Sequence, residues 1–167
     1  MDIILVRHAI AFERDSSRWP DDADRPLTSD GEKRFRAAAR GLGSMVPDVD
    51  AVLSSPFARA WRTAEILHSE IGWPAPRRCD ELSADRPAAE ALTPIRDERA
   101  GSVAVVGHEP GLSELASLLL SADPDRMQLE LKKGGTILIS VDDGISASGM
   151  GLLRWALPPK ALRALRA

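Results

Sequence analysis

Short, continuous apolar runs constrain the fold of this chain more than any other feature of its sequence. Ile3–Val6 (IILV), Ala51–Leu53 (AVL) and Val103–Val106 (VAVV) contain no polar residue, so both faces of each extended segment are apolar. Strands of this kind are covered by helices on both sides, which is typical of parallel sheets. Two further, largely apolar runs, Ile137–Val141 and Leu152–Leu157, follow near the end of the chain. We therefore predict five strands in a mostly parallel sheet.

Helical patterns separate these strands. Thr28/Ser29 with Glu32 predicts a capping box at the start of the first helix. Ser55-Pro56 predicts the N-cap and first residue of the second helix, because proline is favoured at that first position. The four predicted helices cover about residues 28–43, 56–72, 87–99 and the stretch from 110 onwards. The alternation predicts an α/β fold, a three-layer sandwich with a central sheet flanked by helices.

The chain has the size and composition of one soluble domain, at 167 residues with 44% apolar and 28% charged residues. No linker or low-complexity tract divides it, so we predict a single domain over residues 1–167. The segment from Trp73 to Ala100 leaves room for one helix and loops but not for an inserted lid. Phe12–Leu27 is predicted to be a long polar loop, and Asp142–Gly151 the turn of a hairpin.

Charge and composition argue against several classes of protein. A net charge of −3 gives no general electrostatic case for binding nucleic acid or an anionic membrane. Cys79 has no second cysteine to pair with, and the three widely spaced histidines form no metal-binding motif. No signal peptide is visible, and no apolar stretch approaches the roughly 18 residues that span a membrane. We therefore expect a cytoplasmic protein that uses no metal ion or cofactor.

Polar residues suited to chemistry occupy three predicted strand-to-helix junctions. Arg7-His8 follows the first strand, and His108 follows VAVV just before the helix that opens at Pro110. The stretch SSPFARAWRTAEIL places Arg59 about one turn inside the second helix. Junctions of this kind share one edge of a parallel sheet, so we expect two arginines and two histidines to converge there, near helix N-termini that favour anions.

Such a pocket suits a phosphoryl group. Arginine donates planar, bidentate hydrogen bonds from a permanently charged group to phosphate oxygens. A neutral histidine can attack phosphorus, and a second histidine can donate a hydrogen bond to the equatorial oxygens. Phosphoryl transfer depends mainly on positioning and charge neutralisation, which these groups can supply without a metal ion.

Several motifs resemble those of a known family. RHA after the first strand, SSPFARAWRTAEIL and VGHEPGLSEL resemble the histidine phosphatase superfamily, in which the first motif is usually RHG. Ala9 together with ADRPLTSDGEKR, LKKGG and LRWALPP narrows the resemblance to the SixA-type phosphohistidine phosphatases. The motifs occur in the same order at comparable spacing, and the resemblance covers nearly the whole chain.

The resemblance implies a role for each of five residues. His8 resembles the nucleophile that becomes phosphorylated, and Arg7, Arg59 and His108 resemble the residues that bind the phosphoryl group. Arg25, in DRPLT, resembles an additional arginine near the pocket in the SixA-type group. The implied reaction has two steps, attack of His8 on the substrate phosphoryl group and then hydrolysis of the phosphohistidine intermediate by water.

The general acid is left open between two glutamates. Glu81, in CDELSAD, and Glu109, beside His108, are the candidates for protonating the leaving group. Each also has a purely structural explanation. Glu109 can cap the helix that opens at Pro110, where a carboxylate is stabilising, and Glu81 can be a solvated loop charge.

The short middle segment bears on the substrate. Without a lid the pocket is expected to be open, which favours a phosphate displayed on a protein. An imidazole leaving group has a conjugate-acid pKa near 6.5 and needs little acid assistance. We therefore expect the partner to be a phosphorylated protein, such as a histidine-phosphotransfer domain. The alternatives are hydrolysis of a small phosphoester and, less favoured, a non-catalytic phosphate-binding module.

Two surface features each allow two interpretations. Trp19, in the polar loop after the first strand, either meets a protein partner or, as we favour, folds back on its own surface. Lys132 and Lys133 either border the pocket or only solvate the turn before the fourth apolar run.

Overall fold

The computed structural model describes residues 1–142 and 149–165, and the strands of this part form one mixed sheet. The six strands are β1 (Asp2–Arg7), β2 (Ala51–Ser54), β3 (Arg77–Arg78), β4 (Ser102–Gly107), β5 (Thr136–Ser140) and β6 (Leu152–Leu157). They lie in the order β3-β2-β4-β1-β5-β6. The pairs β3–β2, β2–β4 and β4–β1 are parallel, whereas β1–β5 and β5–β6 are antiparallel. The predicted, mostly parallel sheet is confirmed.

Helices cover both faces of the sheet. They are α1 (Ser29–Met45), α2 (Ala58–Ile71), α3 (Leu92–Asp97), α4 (Gly111–Ser121) and α5 (Pro159–Ala164). Ile4 and Val6 of β1 pack in one apolar cluster with residues of α1 and α2, whereas Ile3 and Leu5 pack in a second cluster with residues of α3 and α4. Successive side chains of a strand point to opposite faces, so β1 is buried on both. The three-layer α/β sandwich is confirmed.

Two helix boundaries differ from the prediction. α2 begins at Ala58 rather than Pro56, and Phe57 is its N-cap. The hydroxyl of Ser55 accepts a hydrogen bond from the Phe57 amide (3.3 Å) but also contacts His108, so it does not cap the helix as predicted. The predicted helix over 87–99 divides into a 3₁₀ turn at 88–91 and the short α3. Pro94 lies in the first turn of α3, where the missing backbone N–H of a proline costs no helical hydrogen bond.

Thr28 caps α1 without the reciprocal partner of a capping box. Its hydroxyl accepts a hydrogen bond from the Gly31 amide (2.9 Å). The carboxylate of Glu32 instead accepts hydrogen bonds from Arg62 of α2 (2.8 and 2.9 Å). Glu32 therefore joins α1 to α2 and does not complete the predicted box.

Some elements lie outside the sequence-based prediction or outside the described residues. β3 is a pair of exposed arginines and α5 is only six residues long, so neither carries a clear apolar pattern. The antiparallel pairing of β5 and β6 agrees with the predicted hairpin, but residues 143–148 of the predicted turn at 142–151 lie outside the described residues. None of the described helices is long and apolar enough to span a membrane.

The loop after β1 folds back on its own surface. The ring of Trp19 lies 5.3 Å from that of Phe12, measured between centroids. The guanidinium carbon of Arg18 lies 4.7 Å from the centre of the Phe12 ring and 4.5 Å from that of Trp19. Of the two interpretations of Trp19, the structure therefore supports packing within the loop.

The carboxyl ends of β1, β2 and β4 meet at one edge of the sheet. The register pairs Arg7 with Gly107 and Ser54 with Val106. Hydrogen bonding continues one residue further, since the amide of His8 donates to the Gly107 carbonyl (3.0 Å) and that of Ser55 to the Val106 carbonyl (3.0 Å). The residues that follow these strands therefore leave the sheet side by side.

Gly31 allows α1 to approach this edge closely. A Cβ atom at Gly31 would lie 2.1 Å from the carbonyl oxygen of Ile10, which already accepts a hydrogen bond from the Thr28 amide (3.0 Å). Because the obstructing atom belongs to the backbone, it cannot move aside as a flexible side chain does.

We expect Gly31→Ala to destabilise the fold by about 2 kcal/mol, within the range of overpacking substitutions. Gly111→Ala is a matched control, since Gly111 also lies in the first turn of a helix and a Cβ there meets no atom within 4 Å. That control should be stabilising by up to about 1 kcal/mol, the helix-propensity difference. Urea unfolding followed by circular dichroism measures both, and equal midpoints for the two variants would contradict the close approach.

Candidate active site

His8 leaves the end of β1 with its ring almost fully buried. Its Nδ1 lies 2.7 Å from the carbonyl oxygen of Ala9. A carbonyl oxygen can only accept a hydrogen bond, so Nδ1 carries the ring proton and Nε2 keeps its lone pair. Burial lowers the pKa of His8 to about 3, and the positive charges of Arg59 and Arg7 act in the same direction. The ring is therefore neutral at physiological pH, the form that can act as a nucleophile.

His108 follows β4 and faces His8, with the two ring centroids 5.1 Å apart. Its Nε2 lies 2.9 Å from the hydroxyl oxygen of Ser55. Its Nδ1 is buried and has no hydrogen-bond partner in the part of the chain that the structure describes. Burial lowers the pKa of His108 to about 2, and His8, once it is protonated, and the charge of Arg59 act in the same direction. One ring nitrogen is thus held in place, while the other is not satisfied by any described protein group.

Two arginines approach the histidines from different elements. Arg59 is the second residue of α2, so it lies at the helix N-terminus and not one turn inside as predicted; it is only 3% exposed. Arg7, the last residue of β1, donates a hydrogen bond from Nη1 to the Leu131 carbonyl (2.7 Å). The Nε–H of each arginine is buried without a hydrogen-bond partner among residues 1–142 and 149–165. Each guanidinium therefore has one N–H group that no described protein group satisfies.

Asp22, which the sequence analysis did not single out, holds Arg59 in place. Its carbonyl oxygen accepts from Arg59 Nη1 (2.8 Å), and its carboxylate lies 3.1 Å from Nη2. The same carboxylate accepts from Arg25 Nε (2.8 Å), and Arg25 Nη1 donates to the Phe12 carbonyl (2.7 Å). The hydrogen bond from Arg25 and the charge of Arg59 lower the pKa of Asp22. Arg25 is therefore linked to Arg59 through one shared carboxylate.

Thr63 and Ser55 also support the site, and neither was predicted to. The hydroxyl of Thr63 accepts from the Ala9 amide (3.0 Å) and donates to the Arg59 carbonyl (2.7 Å), so it joins the segment after His8 to the first turn of α2. Both residues lie within SSPFARAWRTAEIL, but spacing alone does not distinguish them from packing residues.

For Asp22, the available signal was the run of acids in DDADRPLT beside a candidate phosphate-binding arginine.

Glu81 lines a pocket beside His108, whose other walls are mostly apolar and include Leu82 and Leu112. The thiol of Cys79 donates to the carboxylate of Glu81 (3.3 Å). Burial, and then the contact with Glu81, raises the pKa of Cys79 to about 12, so this side chain stays a thiol at neutral pH. The structure thus brings Glu81 to the same pocket as one of the predicted site histidines.

Glu109 is half-buried just before α4. Burial raises the pKa of its carboxyl, while hydrogen bonds from Ser113 and the charge of Arg7 act in the opposite direction. Its Oε1 is buried and lacks a hydrogen-bond partner among the described residues. The hydrogen bonds from Ser113, which lies in the first turn of α4, agree with the helix-capping interpretation of Glu109. The interaction with Arg7 places the Glu109 carboxyl near the same sheet edge.

The arrangement can bind a tetrahedral oxyanion and present a nitrogen nucleophile to it. Unpaired donors of Arg7 and Arg59 and the free nitrogen of His108 accompany the lone pair of His8 at one edge. In a buried site such groups stabilise negative charge more strongly than they do in water. Among the described residues, no group of three or more His, Cys, Asp or Glu side chains is placed to hold a metal ion.

The chain is similar in sequence and fold to several known proteins. The family model of the histidine phosphatase superfamily (branch 1) matches residues 3–84. An uncharacterized protein of Picosynechococcus sp. is 32% identical over 140 residues, covering 82% of this chain and 83% of its own length. The phosphohistidine phosphatase SixA of Escherichia coli is 26% identical over 174 residues, covering 100% of this chain and 99% of SixA. A solved structure of SixA complexed with tungstate superimposes with a TM-score of 0.82 at 25% identity, over 97% of this chain and 99% of that one.

These similarities indicate a phosphatase, a hydrolase that acts on phosphorylated substrates. The chain belongs to the histidine phosphatase superfamily.

The two buried histidines predict an acid-sensitive fold. In an unfolded chain each titrates near pH 6.5, whereas in the fold their pKa values are about 3 for His8 and about 2 for His108. Below pH 6.5 the unfolded state therefore binds more protons, and the free energy of unfolding falls as the pH decreases toward 3. The slope contributed by each histidine reaches about 1.4 kcal/mol per pH unit.

We expect His108→Gln to lose less stability than the unsubstituted protein between pH 6.5 and pH 4.5, because one of these two proton uptakes is removed. Urea unfolding at several pH values measures the difference. An identical pH dependence in both proteins would show that His108 is not held neutral in the fold.

Proposed function

We propose that this chain hydrolyses phosphohistidine on proteins through a phosphorylated His8. The observation that carries the proposal is the hydrogen bond from His8 Nδ1 to the Ala9 carbonyl (2.7 Å), which leaves Nε2 unprotonated at a buried edge beside two arginines. The similarity to SixA, a phosphohistidine phosphatase whose solved structure holds the oxyanion tungstate, supports the same chemistry.

The proposed reaction has two displacements at phosphorus. In the first, Nε2 of His8 forms a bond to phosphorus while the P–N bond to the substrate imidazole breaks, and the leaving imidazole takes up a proton. In the second, water forms a P–O bond while the bond from phosphorus to Nε2 breaks, giving inorganic phosphate and the starting histidine. The carbonyl of Ala9 keeps its hydrogen bond to Nδ1–H while positive charge develops on the His8 ring.

The phosphoryl oxygens are bound, in this proposal, by the groups that lack partners within the protein. The Nε–H groups of Arg7 and Arg59 donate to two oxygens, and Nδ1 of His108 donates to a third when protonated there. Arg25 acts through the carboxylate of Asp22 and so fixes the direction of the Arg59 guanidinium. These contacts stabilise the spread of negative charge in the transition state.

Glu81 is the proposed proton donor to the leaving imidazole, because it lines the mostly apolar pocket beside His108. Glu109 remains the alternative donor, since burial raises the pKa of its carboxyl near Arg7. An imidazole leaving group needs less assistance from either acid than an alkoxide does.

The surroundings of the site favour a phosphate carried by a protein. Between β3 and β4 the chain forms 3₁₀ turns and the six-residue α3, and we propose that the site works without a separate lid. An edge that is open in this way can accept a side chain displayed on a folded partner. A phosphorylated histidine-phosphotransfer domain is the substrate that this proposal favours.

We expect His8→Ala to reduce hydrolysis of a phosphorylated histidine-phosphotransfer domain by roughly 10³-fold or more, because no other group replaces the nucleophile. His68→Ala is the matched control, since His68 lies on α2 with its Nδ1 bound to the Trp73 carbonyl (2.6 Å), and its rate should stay within about two-fold. Alkaline quenching of a reaction with the radiolabelled phosphorylated domain, followed by electrophoresis that separates the two proteins, should detect acid-labile phosphate on the control enzyme and not on His8→Ala.

Two outcomes would contradict the proposal. Equal rates for His8→Ala and the unsubstituted protein would remove His8 as the nucleophile. Activity confined to a panel of sugar and nucleotide phosphates would overturn the protein substrate.

Asp22→Ala is expected to lower kcat/KM by about ten-fold, since Arg59 and Arg25 lose their shared anchor and small misplacements of such groups are costly. Asp22→Asn retains a side-chain oxygen that accepts one hydrogen bond, so its loss should be smaller. Asp24→Ala, in the same 3₁₀ turn but exposed, controls for the change in loop charge. A higher kcat/KM in Asp22→Ala would instead show that the carboxylate competes with the substrate phosphate.

A further inference from the structure

The turn Leu131–Gly135, with the sequence LKKGG, is fixed to the strand that carries the candidate nucleophile. The amide of Gly134 donates to the carbonyls of both Arg7 and His8 (3.1 Å each), and the amide of Arg7 donates to the Gly135 carbonyl (3.1 Å). The Leu131 carbonyl accepts from the Arg7 guanidinium (2.7 Å). A side chain on this turn therefore has a defined position relative to His8.

A basic pocket adjoins this turn. Its cations come from three separate segments, Arg34 from α1, Lys133 from the turn and Arg163 from α5. Phe35 and Pro159 contribute apolar surface to the same pocket, and none of the described residues that line it is acidic. The chain as a whole carries a net charge of −3, so a pocket lined by three cations is a local reversal of its average charge.

The cations of this basic pocket are only partly neutralised. Arg34 pairs with Asp30 at 2.7 Å, but Lys133 and Arg163 form no salt bridge within residues 1–142 and 149–165. The neighbouring Lys132 is exposed and lies 3.9 Å from Glu130, whereas Lys133 and Arg163 are half-buried. Like charges held together repel each other, and a bound anion removes that repulsion.

The basic pocket also lies close to the candidate nucleophile. Ile10 lines the pocket and is two residues from His8, a separation of at most about 7 Å along the chain. The charge of Lys133 contributes to lowering the pKa of His8, which agrees with this closeness. A peptide segment of a few residues can therefore reach both the nucleophile and the pocket.

We propose that the basic pocket formed by Arg34, Lys133 and Arg163 binds carboxylate side chains next to the phosphohistidine of a protein substrate. The inference rests on the proposed function, because it names the surroundings of the phosphohistidine that this site accepts. Charge complementarity identifies the ligand as an acidic segment, and Phe35 and Pro159 can contact the methylene groups of its side chains.

Two synthetic phosphohistidine peptides test the proposal, identical except that two glutamates beside the phosphohistidine are replaced by glutamine in one of them. For the unsubstituted protein we expect KM to be roughly five-fold lower for the glutamate peptide, the size of one or two partly exposed ion pairs. The preference for the glutamate peptide should disappear in the double variant Lys133→Gln/Arg163→Gln, which removes two of the cations. It should also disappear in 0.5 M salt, because screening weakens ion pairs. Arg154→Gln removes an exposed cation of β6 that lies outside the pocket, and this variant should keep the preference for the glutamate peptide.

The comparison of two peptides within one protein separates this proposal from a general effect on catalysis or folding. Equal KM values for both peptides in the unsubstituted protein, or a preference that persists in Lys133→Gln/Arg163→Gln, would overturn the acidic-segment site. If neither the peptides nor the phosphorylated histidine-phosphotransfer domain is hydrolysed, the proposed function fails, and binding of fluorescein-labelled hexaglutamate measured by anisotropy still decides the pocket. Binding that the double variant loses supports the site, and equal affinity in both proteins contradicts it.

Discussion

Burial of cationic and titratable groups at the end of an apolar sheet is the constraint on which the rest of this structure depends. His8, Arg59 and His108 are buried at the end of strands whose side chains are almost entirely apolar, and burial disfavours charge on each. Most of the protein groups that hold them are neutral: the Ala9 carbonyl, the Ser55 hydroxyl and, for Arg7, the Leu131 carbonyl. Asp22 is the one carboxylate described in contact with Arg59, and it is shared with Arg25. The edge therefore retains an uncompensated positive charge that a phosphoryl group can neutralise.

This electrostatic arrangement explains why segments far apart in sequence are fixed to the same edge. The loop that contains Asp22 reaches Arg59 of α2, and the turn at 131–135 is bound to β1. Thr63 then connects α2 to the segment after His8 through two hydrogen bonds. In the proposed reaction these groups act on one phosphorus atom, and small errors in their alignment would reduce the rate strongly. The loops around the site thus fix these groups relative to one another.

The sequence predicted the central strands well because each is buried on both faces and therefore continuously apolar. It also predicted that Arg7, Arg59 and His108 meet His8, since the ends of parallel strands share an edge whether or not helix boundaries are accurate. α2 starts two residues later than predicted, yet Arg59 still lies at that edge. β3 was not predicted, because its two residues are exposed arginines paired only through their backbone. The role of Asp22 depends on the path of a polar loop, and no periodic pattern in the sequence predicts the path of such a loop.

The thiol of Cys79 has a consequence for the conditions in which this site can operate. Its pKa of about 12 leaves a thiolate fraction on the order of 10⁻⁵ at neutral pH, and the thiolate is the form that peroxides oxidise. The groups at the sheet edge are imidazole and guanidinium, which have no comparable oxidation chemistry under mild conditions. A mild oxidant should therefore leave this thiol, and its contact with Glu81, unchanged.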